Sequence, residues 1–286
     1  MKKIDLHIHT TASDGSFTPG EIVDMALNKG LSAIAITDHD TVAGIKEALR
    51  AAENTALEIV PGVEISTEYS SENTEITLHL LGYFIDHHDA ALIDTLKWMQ
   101  EIRDQRNPRI IKRLNDLGIP VKTEEVAQAA GEGVVGRPHI AEVLIRHGVV
   151  ETMDEAFDRY LGTNGQAYVP KTRISLEKAI DLILAAGGIP VLAHPMILTR
   201  KHNDIEKLLP AWIQLGLKGI EVWYTEHTEK ETEYYSSLAD RFELVKTGGS
   251  DFHGVYKPGV EIGTGAESLS ISFDLLKTMK KSLRSQ

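Results

Sequence analysis

Histidine and carboxylate recur along this chain where short apolar runs come to an end. In IDLHIHT the strand period of two sets His7 and His9 on one face and Ile4, Leu6 and Ile8 on the other. Asp38-His39-Asp40 follows AIAIT, Glu64 follows IVPGV, His79 lies inside EITLHLLGY, His194 follows IPVLA, and Asp251-x-His253 follows LVKTGGS. Imidazole nitrogen and carboxylate oxygen are donors that divalent cations accept, and their repetition at strand ends points to a metal cluster. The chain contains no Cys, so sulfur ligands and disulfides are excluded and the choice narrows to Mn, Fe, Zn or Mg.

The elements that must position these side chains follow from the patterning. Strands are predicted at 3–9, 33–37, 58–65, 76–83, 189–193, 219–224 and 244–248, and helices at 19–29, 41–53, 89–117, 175–187, 204–215 and 228–241. Their alternation is that of βα units, and seven strands fit a barrel better than a sandwich. Thr18-Pro19 suits a helix start, and Gly30, Gly118 and Gly216 suit helix stops. Residues 99–169 break the alternation with consecutive short helices, including RPHIAEVLIRHG and MDEAFDRYL. The expected organisation is an α/β barrel over 1–98 and 170–286 with an all-helical cap inserted at 99–169. SFDLLKTMKKSLRSQ reads as an amphipathic terminal helix.

In a β/α barrel, residues at the C-terminal ends of the strands share one face. That face would gather His7, His9, Asp14, His39, Glu64, His79, His194, Asp251 and His253. A catalytic zinc uses about three protein ligands, so this set implies two or three ions with bridging carboxylates. The net charge of −12, from 30 Lys and Arg against 42 Asp and Glu, argues against a broad surface for duplex nucleic acid. A small anionic substrate remains compatible, because bound cations reverse the local potential. No apolar stretch approaches the roughly 18 residues that span a bilayer, and the expectation is a cytoplasmic protein with no membrane association and no obligate protein partner.

The segments DLHIHTTASDGSFTP, ITDHDT, PGVEIS, LHLLGY, LAHP and GGSDFHG, in this order, resemble the PHP (polymerase and histidinol phosphatase) family of metal-dependent phosphoesterases. The resemblance covers residues 1–85 and 187–263 and implies a distorted seven-stranded β/α barrel with a trinuclear site, filled by manganese or by iron or zinc. It implies that His7, His9 and Asp251 hold one ion, that Glu64 bridges to a second held by His79 and His194, and that Asp14, His39 and His253 hold the third. Arg103, Arg106, Arg137-Pro138-His139 and Lys171 resemble the branch of nucleoside 3′,5′-bisphosphate phosphatases and 5′-to-3′ exoribonucleases of short RNA, whose cap residues grip phosphate.

Phosphate ester hydrolysis needs charge neutralisation, an activated water and help for the leaving oxygen. Metal ions lower the pKa of water from about 15.7 towards about 7, so the expected attacking group is a metal-bound hydroxide. Arginine suits the ester because its planar fork pairs with phosphate. Asp14, His39 and His253 are the expected catalytic residues at the open rim, with His139 or a metal-bound water as general acid. Asp38 and Asp40 read as supports or caps, and Glu221 in GIEVW stands evenly between supporting a ligand and being inert. His87, His88, His147, His202 and His227 are assigned to solvent, and Gly248-Gly249 to close backbone approach. The leading reading is a phosphoesterase acting on a nucleotide 3′,5′-bisphosphate or short RNA. A phosphatase of a non-nucleotide metabolite such as histidinol phosphate, or a non-catalytic metal-binding PHP module, stands as the alternative.

Overall fold

A computed structural model describes residues 2–71, 74–131, 135–170, 173–199, 204–266 and 269–283; the side chains of 71, 74, 75, 103 and 104 lie outside that description. Among the described residues there are nine strands: β1 (Lys3–Asp5), β2 (Leu31–Ile36), β3 (Glu58–Ser71), β4 (Thr74–Tyr83), β5 (Ile174–Ser175), β6 (Ile189–Leu192), β7 (Gly219–Tyr224), β8 (Val245–Gly249) and β9 (Ile271–Ser272). They form one sheet in the order β8-β7-β6-β4-β3-β2-β1-β9, with β5 paired to β3. Beyond β1 the chain runs on beside the segment after β8, where Leu6 N donates to Gly248 O (3.2 Å), Asp251 N to His7 O (2.8 Å) and His9 N to Phe252 O (3.0 Å). These bonds bring the two ends of the sheet together into a nearly closed barrel. All seven predicted strands are present, and the two additional ones, β5 and β9, are two residues long.

The parallel strands are buried on both faces, as the apolar runs require: every residue of IPVL in β6 is buried, and so is all of LSAIAI in β2 except Ser32. Each Ile removed from water in this way contributes on the order of 1.5–3 kcal/mol. The helices α1 (Pro19–Asn28), α2 (Ile45–Ala51), α7 (Leu176–Ala185), α9 (Ile205–Leu215), α10 (Glu229–Arg241) and α11 (Phe273–Leu283) accompany the sheet, with a short α8 at Met196–Thr199. In α7 the buried face is Leu176, Ala179, Ile180, Leu182 and Ile183, the spacing of an apolar helical stripe. Thr18 caps α1 in a reciprocal box with Glu21, and Gly30 and Gly216 follow their helices at φ of 67° and 110°.

Two features depart from a simple βα repeat. β4 runs antiparallel to both β3 and β6, so His79 reaches the common face from mid-strand, opposite Ser66, and not from a C-terminal end. Between β4 and β5 the described residues hold helices and no strand: α3 (Ala90–Asp116), α4 (Thr123–Ala130), α5 (Arg137–Arg146) and α6 (Met153–Ala156), the last running into a π-helical turn at Phe157–Leu161. α3 continues unbroken past residue 99, the predicted start of the insertion. A separate apolar cluster, including Ile110, Leu114, Val126, Ile140, Leu144 and Leu161, is drawn entirely from residues 110–169.

Candidate metal centre

The geometry brings all nine predicted donors into one connected cluster. Glu64, fully buried where β3 leaves the barrel wall, lies at its middle. Its Oε2 lies 3.3 Å from His7 Nε2, 3.2 Å from His9 Nε2 and 3.0 Å from His39 Nδ1, while its Oε1 lies 2.9 Å from His79 Nδ1 and 2.8 Å from His194 Nε2. Asp251 Oδ1 approaches His7 Nε2 at 3.4 Å and His9 Nε2 at 3.1 Å. Nearer the surface, Asp14 Oδ1 lies 3.4 Å from His253 Nε2 and 3.8 Å from His9 Nδ1, and its Oδ2 lies 3.9 Å from His39 Nε2.

These donors fit divalent cations. Ligand bonds of about 2.1 Å at tetrahedral angles separate donors by about 3.4 Å, close to the spacings among His7, His9, Glu64 and Asp251. The same atoms are otherwise unsatisfied: His7 Nε2, both His9 nitrogens, His39 Nδ1, Glu64 Oε2 and Asp14 Oδ1 are buried without a hydrogen bond. Buried polar atoms of that kind are rare unless something pairs with them. Three overlapping groups emerge, namely His7, His9, Glu64 and Asp251; His39, Glu64 and His79; and His9, Asp14, His39 and His253.

The electrostatics suit a cation as well. Burial alone would push His7 down, yet Glu221, Glu64 and Asp251 hold it well above the ordinary imidazole range. Against the same burial penalty, Asp251 and Glu64 push His9 up to about 10. Glu64 is held well below the carboxylate range because His39, His79 and His7 outweigh its burial. His39 goes the other way: burial pushes it down, against the pull of Glu64 and Asp14.

Local backbone explains the placement. Gly249 lies so close to His7 that an added Cβ would fall 2.2 Å from the His7 Cβ, which is why β8 carries glycine here. His194 and Asp251 take φ values of 26° and 54°, conformations that residues other than glycine adopt at a cost and mostly at functional sites. Asp38 accepts from Thr10 N (2.7 Å), Thr10 Oγ1 (2.8 Å) and Ser13 Oγ (2.6 Å), fixing the loop that carries Asp14. Asp40 ties the end of β2 to Ser66 N (2.7 Å) and caps no helix, since α2 begins at Ile45.

A cavity of about 320 Å³ opens over the outer donors. Its lining combines Asp14, His39, His79 and His253 with Arg106, Asn107, Arg137, Phe157 and Arg173 from the helical segment and its return. Arg106 donates to Val169 O (2.7 Å) and lies over the Tyr168 ring; Arg137 donates to Leu161 O (3.0 Å) and lies over the Phe157 ring. His139 needs correction as a general acid. It is 2% exposed, lies outside the cavity walls, and its Nδ1 accepts from Gly136 N (2.9 Å) at the start of α5. His227 is likewise not in solvent: its Nδ1 donates to Val222 O (2.8 Å) and it packs between Tyr224 and Tyr235. The Arg103 side chain, Lys171 and His202 lie outside the described residues.

Sequence reasoning missed four residues here. Arg173 lines the cavity, and Lys257 reaches it while donating to Asp251 Oδ2 (2.8 Å) and Tyr224 Oη (3.0 Å). Tyr224 itself donates to Asp251 Oδ2 (3.0 Å). Asp5, fully buried, accepts from Ser250 N (2.9 Å) and Gly263 N (2.7 Å), joining the end of β1 to the loop after β8. Asp5 alone had a sequence signal, as a charge inside an apolar strand.

A barrel whose strand ends focus imidazoles and carboxylates beneath an arginine-bearing cavity defines a metal-dependent phosphoric ester hydrolase. Residues 5–167 match the model of the PHP domain, and the chain belongs to that family. Over 261 residues it is 36% identical to the 5′-3′ exoribonuclease Rnm of Escherichia coli, covering 91% of this chain and 87% of that one. Over 264 residues it is 33% identical to the 3′,5′-nucleoside bisphosphate phosphatase of Chromobacterium violaceum, covering 92% and 91%. The crystal structure of a protein assigned as a metal-dependent phosphoesterase from Bifidobacterium adolescentis superposes with a TM-score of 0.85 at 32% identity, covering 97% of this chain and 95% of that one. Among the described residues no helix is long and apolar enough to cross a membrane.

Proposed function

We propose that this chain hydrolyses a phosphate ester of a nucleoside 3′,5′-bisphosphate or of a short RNA, using two or three divalent cations. The observation that carries the reading is the cavity whose lining joins Asp14, His39, His79 and His253 of the donor cluster to Arg106, Arg137 and Arg173. At about 320 Å³ it is at the small end of ligand pockets, a size for a nucleotide and not for a duplex. The relatives named above, an exoribonuclease and a nucleoside bisphosphate phosphatase, support the same substrate class.

In this reading His7, His9, Glu64 and Asp251 would hold one cation, Glu64 with His79 and His194 a second, and Asp14, His39 and His253 a third. The nitrogen and oxygen donor set suits manganese, with iron and zinc as alternatives. Bound there, such cations supply charge neutralisation and a lowered water pKa. The chain's own contribution is placement. Residues 99–169 act as a cap, and Arg106 and Arg137, with Arg173 and the predicted Arg103 and Lys171, orient the non-reacting phosphate. Their fixed positions against Val169 O and Leu161 O keep those guanidinium forks organised before substrate arrives.

The test is turnover by the Mn-loaded chain, read as phosphate release from adenosine 3′,5′-bisphosphate and from histidinol phosphate, and as mononucleotide release from a 5′-phosphorylated short RNA. The nucleotide substrates should turn over at a kcat/KM at least about tenfold higher. Preference for histidinol phosphate would favour the metabolite phosphatase, and no turnover of any ester would sink the reading.

A further inference from the structure

Strand β7 supplies no candidate ligand, yet its two polar side chains at the barrel mouth touch ligands from three other segments. Glu221 is fully buried, and both its oxygens are occupied: Oε1 lies 2.9 Å from His7 Nδ1, and Oε2 accepts from His194 N at 2.7 Å. Tyr224 Oη donates to Asp251 Oδ2 at 3.0 Å, with Lys257 Nζ completing that oxygen at 2.8 Å. Strict strand alternation would put Glu221 and Tyr224 on opposite faces. The register of β7 against β8 shifts between Glu221 and Trp223: Glu221 pairs with Thr247 and Trp223 with Gly248, so β7 carries one extra residue there. A bulge of this kind re-aims side chains, and here it turns Tyr224 towards the face that Glu221 already occupies. Gly248 is its counterpart, since an added Cβ would lie 2.5 Å from Trp223 O.

We infer that β7 is a positioning strand: Glu221 and Tyr224, brought to one face by the bulge, aim His7, His194 and Asp251 at the cations. A carboxylate only accepts, so Glu221 fixes the proton of a neutral His7 on Nδ1 and leaves the Nε2 lone pair directed at Glu64 Oε2 and Asp251 Oδ1. Through its second oxygen the same group sets the backbone of His194, which belongs to the neighbouring cation position. Tyr224 and Lys257 occupy Asp251 Oδ2, so Asp251 offers the cluster a single oxygen. The inference rests on the cluster being a cation site.

Glu221→Gln is the sharp variant, because an amide has one accepting oxygen for two N–H donors. Mn2+ binding to the purified 286-residue chain after chelation, read by equilibrium dialysis, should weaken about 10–100-fold in Glu221→Gln and by a smaller factor in Tyr224→Phe. Activity lost at limiting Mn2+ should return at high Mn2+, which a folding defect would not show. Wild-type affinity in both variants, or loss that excess Mn2+ does not restore, overturns the inference. Should Glu221→Gln fail to fold, Tyr224→Phe decides the matter by the same two readouts. A wild-type chain that takes up no Mn2+ sinks the cluster reading together with this one. A wild-type chain that binds Mn2+ but cleaves no nucleotide ester sinks only the proposed substrate, and the affinities still judge β7.

Discussion

At Asp14 a carboxylate proposed to serve turnover can be separated from the fold. It stands at the rim with its side chain 20% exposed, facing His253 Nε2 at 3.4 Å and His39 Nε2 at 3.9 Å. Burial would raise its pKa, but His39 and His253 outweigh that and hold it well below the carboxylate range, so it is ionised throughout the working pH range. Asp14→Asn keeps the shape and removes the charge. Stability measured by urea unfolding is expected to stay within about 1–2 kcal/mol of wild type. Turnover should fall by at least about a hundredfold, since in the proposed reading the carboxylate holds the cation that would neutralise charge on the reacting phosphate. A variant that unfolds, or that retains its rate, would show that the role is misassigned. Glu64 is the contrasting case, because both its oxygens face histidines on different sides and its loss disturbs the whole cluster.

The π-helical turn Phe157–Leu161 and the first turn of α5 act together. An extra residue per turn at a π-bulge commonly marks functional sites, and this one presents Phe157 to the cavity while its Leu161 carbonyl accepts from Arg137. Arg137 is thus held against the ring and the carbonyl, with its guanidinium at the cavity wall. A fork on the non-reacting phosphate binds ground and transition states alike, so Arg137→Ala should chiefly raise KM for a nucleoside 3′,5′-bisphosphate. The expected loss in kcat/KM is about tenfold to a hundredfold, the size of one charge-assisted contact of about 1.5–3 kcal/mol. The matching monophosphate and p-nitrophenyl phosphate should be affected much less. Equal losses on all three would mean that the arginine serves the chemical step or the turn, and not substrate choice.

For the whole molecule, cation uptake and proton release are linked. His7 is held well above its ordinary pKa and His9 at about 10 by carboxylates that the cations would themselves neutralise, so at neutral pH the imidazoles carry protons that binding must displace. The sign follows directly: competition by protons weakens as pH rises, so apparent affinity increases with pH, about tenfold per unit for each proton displaced. Calorimetric titration with Mn2+ at pH 7 in buffers of different ionisation enthalpy should therefore show net proton release. A binding enthalpy independent of buffer would contradict it. The bound cations should also raise Tm, since they bind the folded cluster and find no such cluster in the unfolded chain.

The sequence by itself determined the strands and the donors. Short apolar runs mark all seven principal strands, and His7, His9, His39, Glu64, His194, Asp251 and His253 stand beside them because strand ends are where a barrel keeps its chemistry. Tertiary structure decided what depends on contacts between distant segments. The reversal of β4, which carries His79 in from mid-strand, is settled by its pairing with β3 and β6 and leaves no trace in its own apolar pattern. Lys257, Tyr224 and Arg173 look like ordinary polar residues until folding places them against Asp251 or the cavity, whereas His139 looked like a catalyst until its ring nitrogen was seen to accept from Gly136 N. Glu221, evenly balanced in the sequence, is resolved by two bonds to residues 214 and 27 positions away. Residue type and local period reveal which side chains can hold a cation, because both are written in neighbouring residues. Which of them are aimed, and by what, is fixed only when the barrel closes and brings the ends of β1, β6, β7 and β8 within hydrogen-bonding distance of one another.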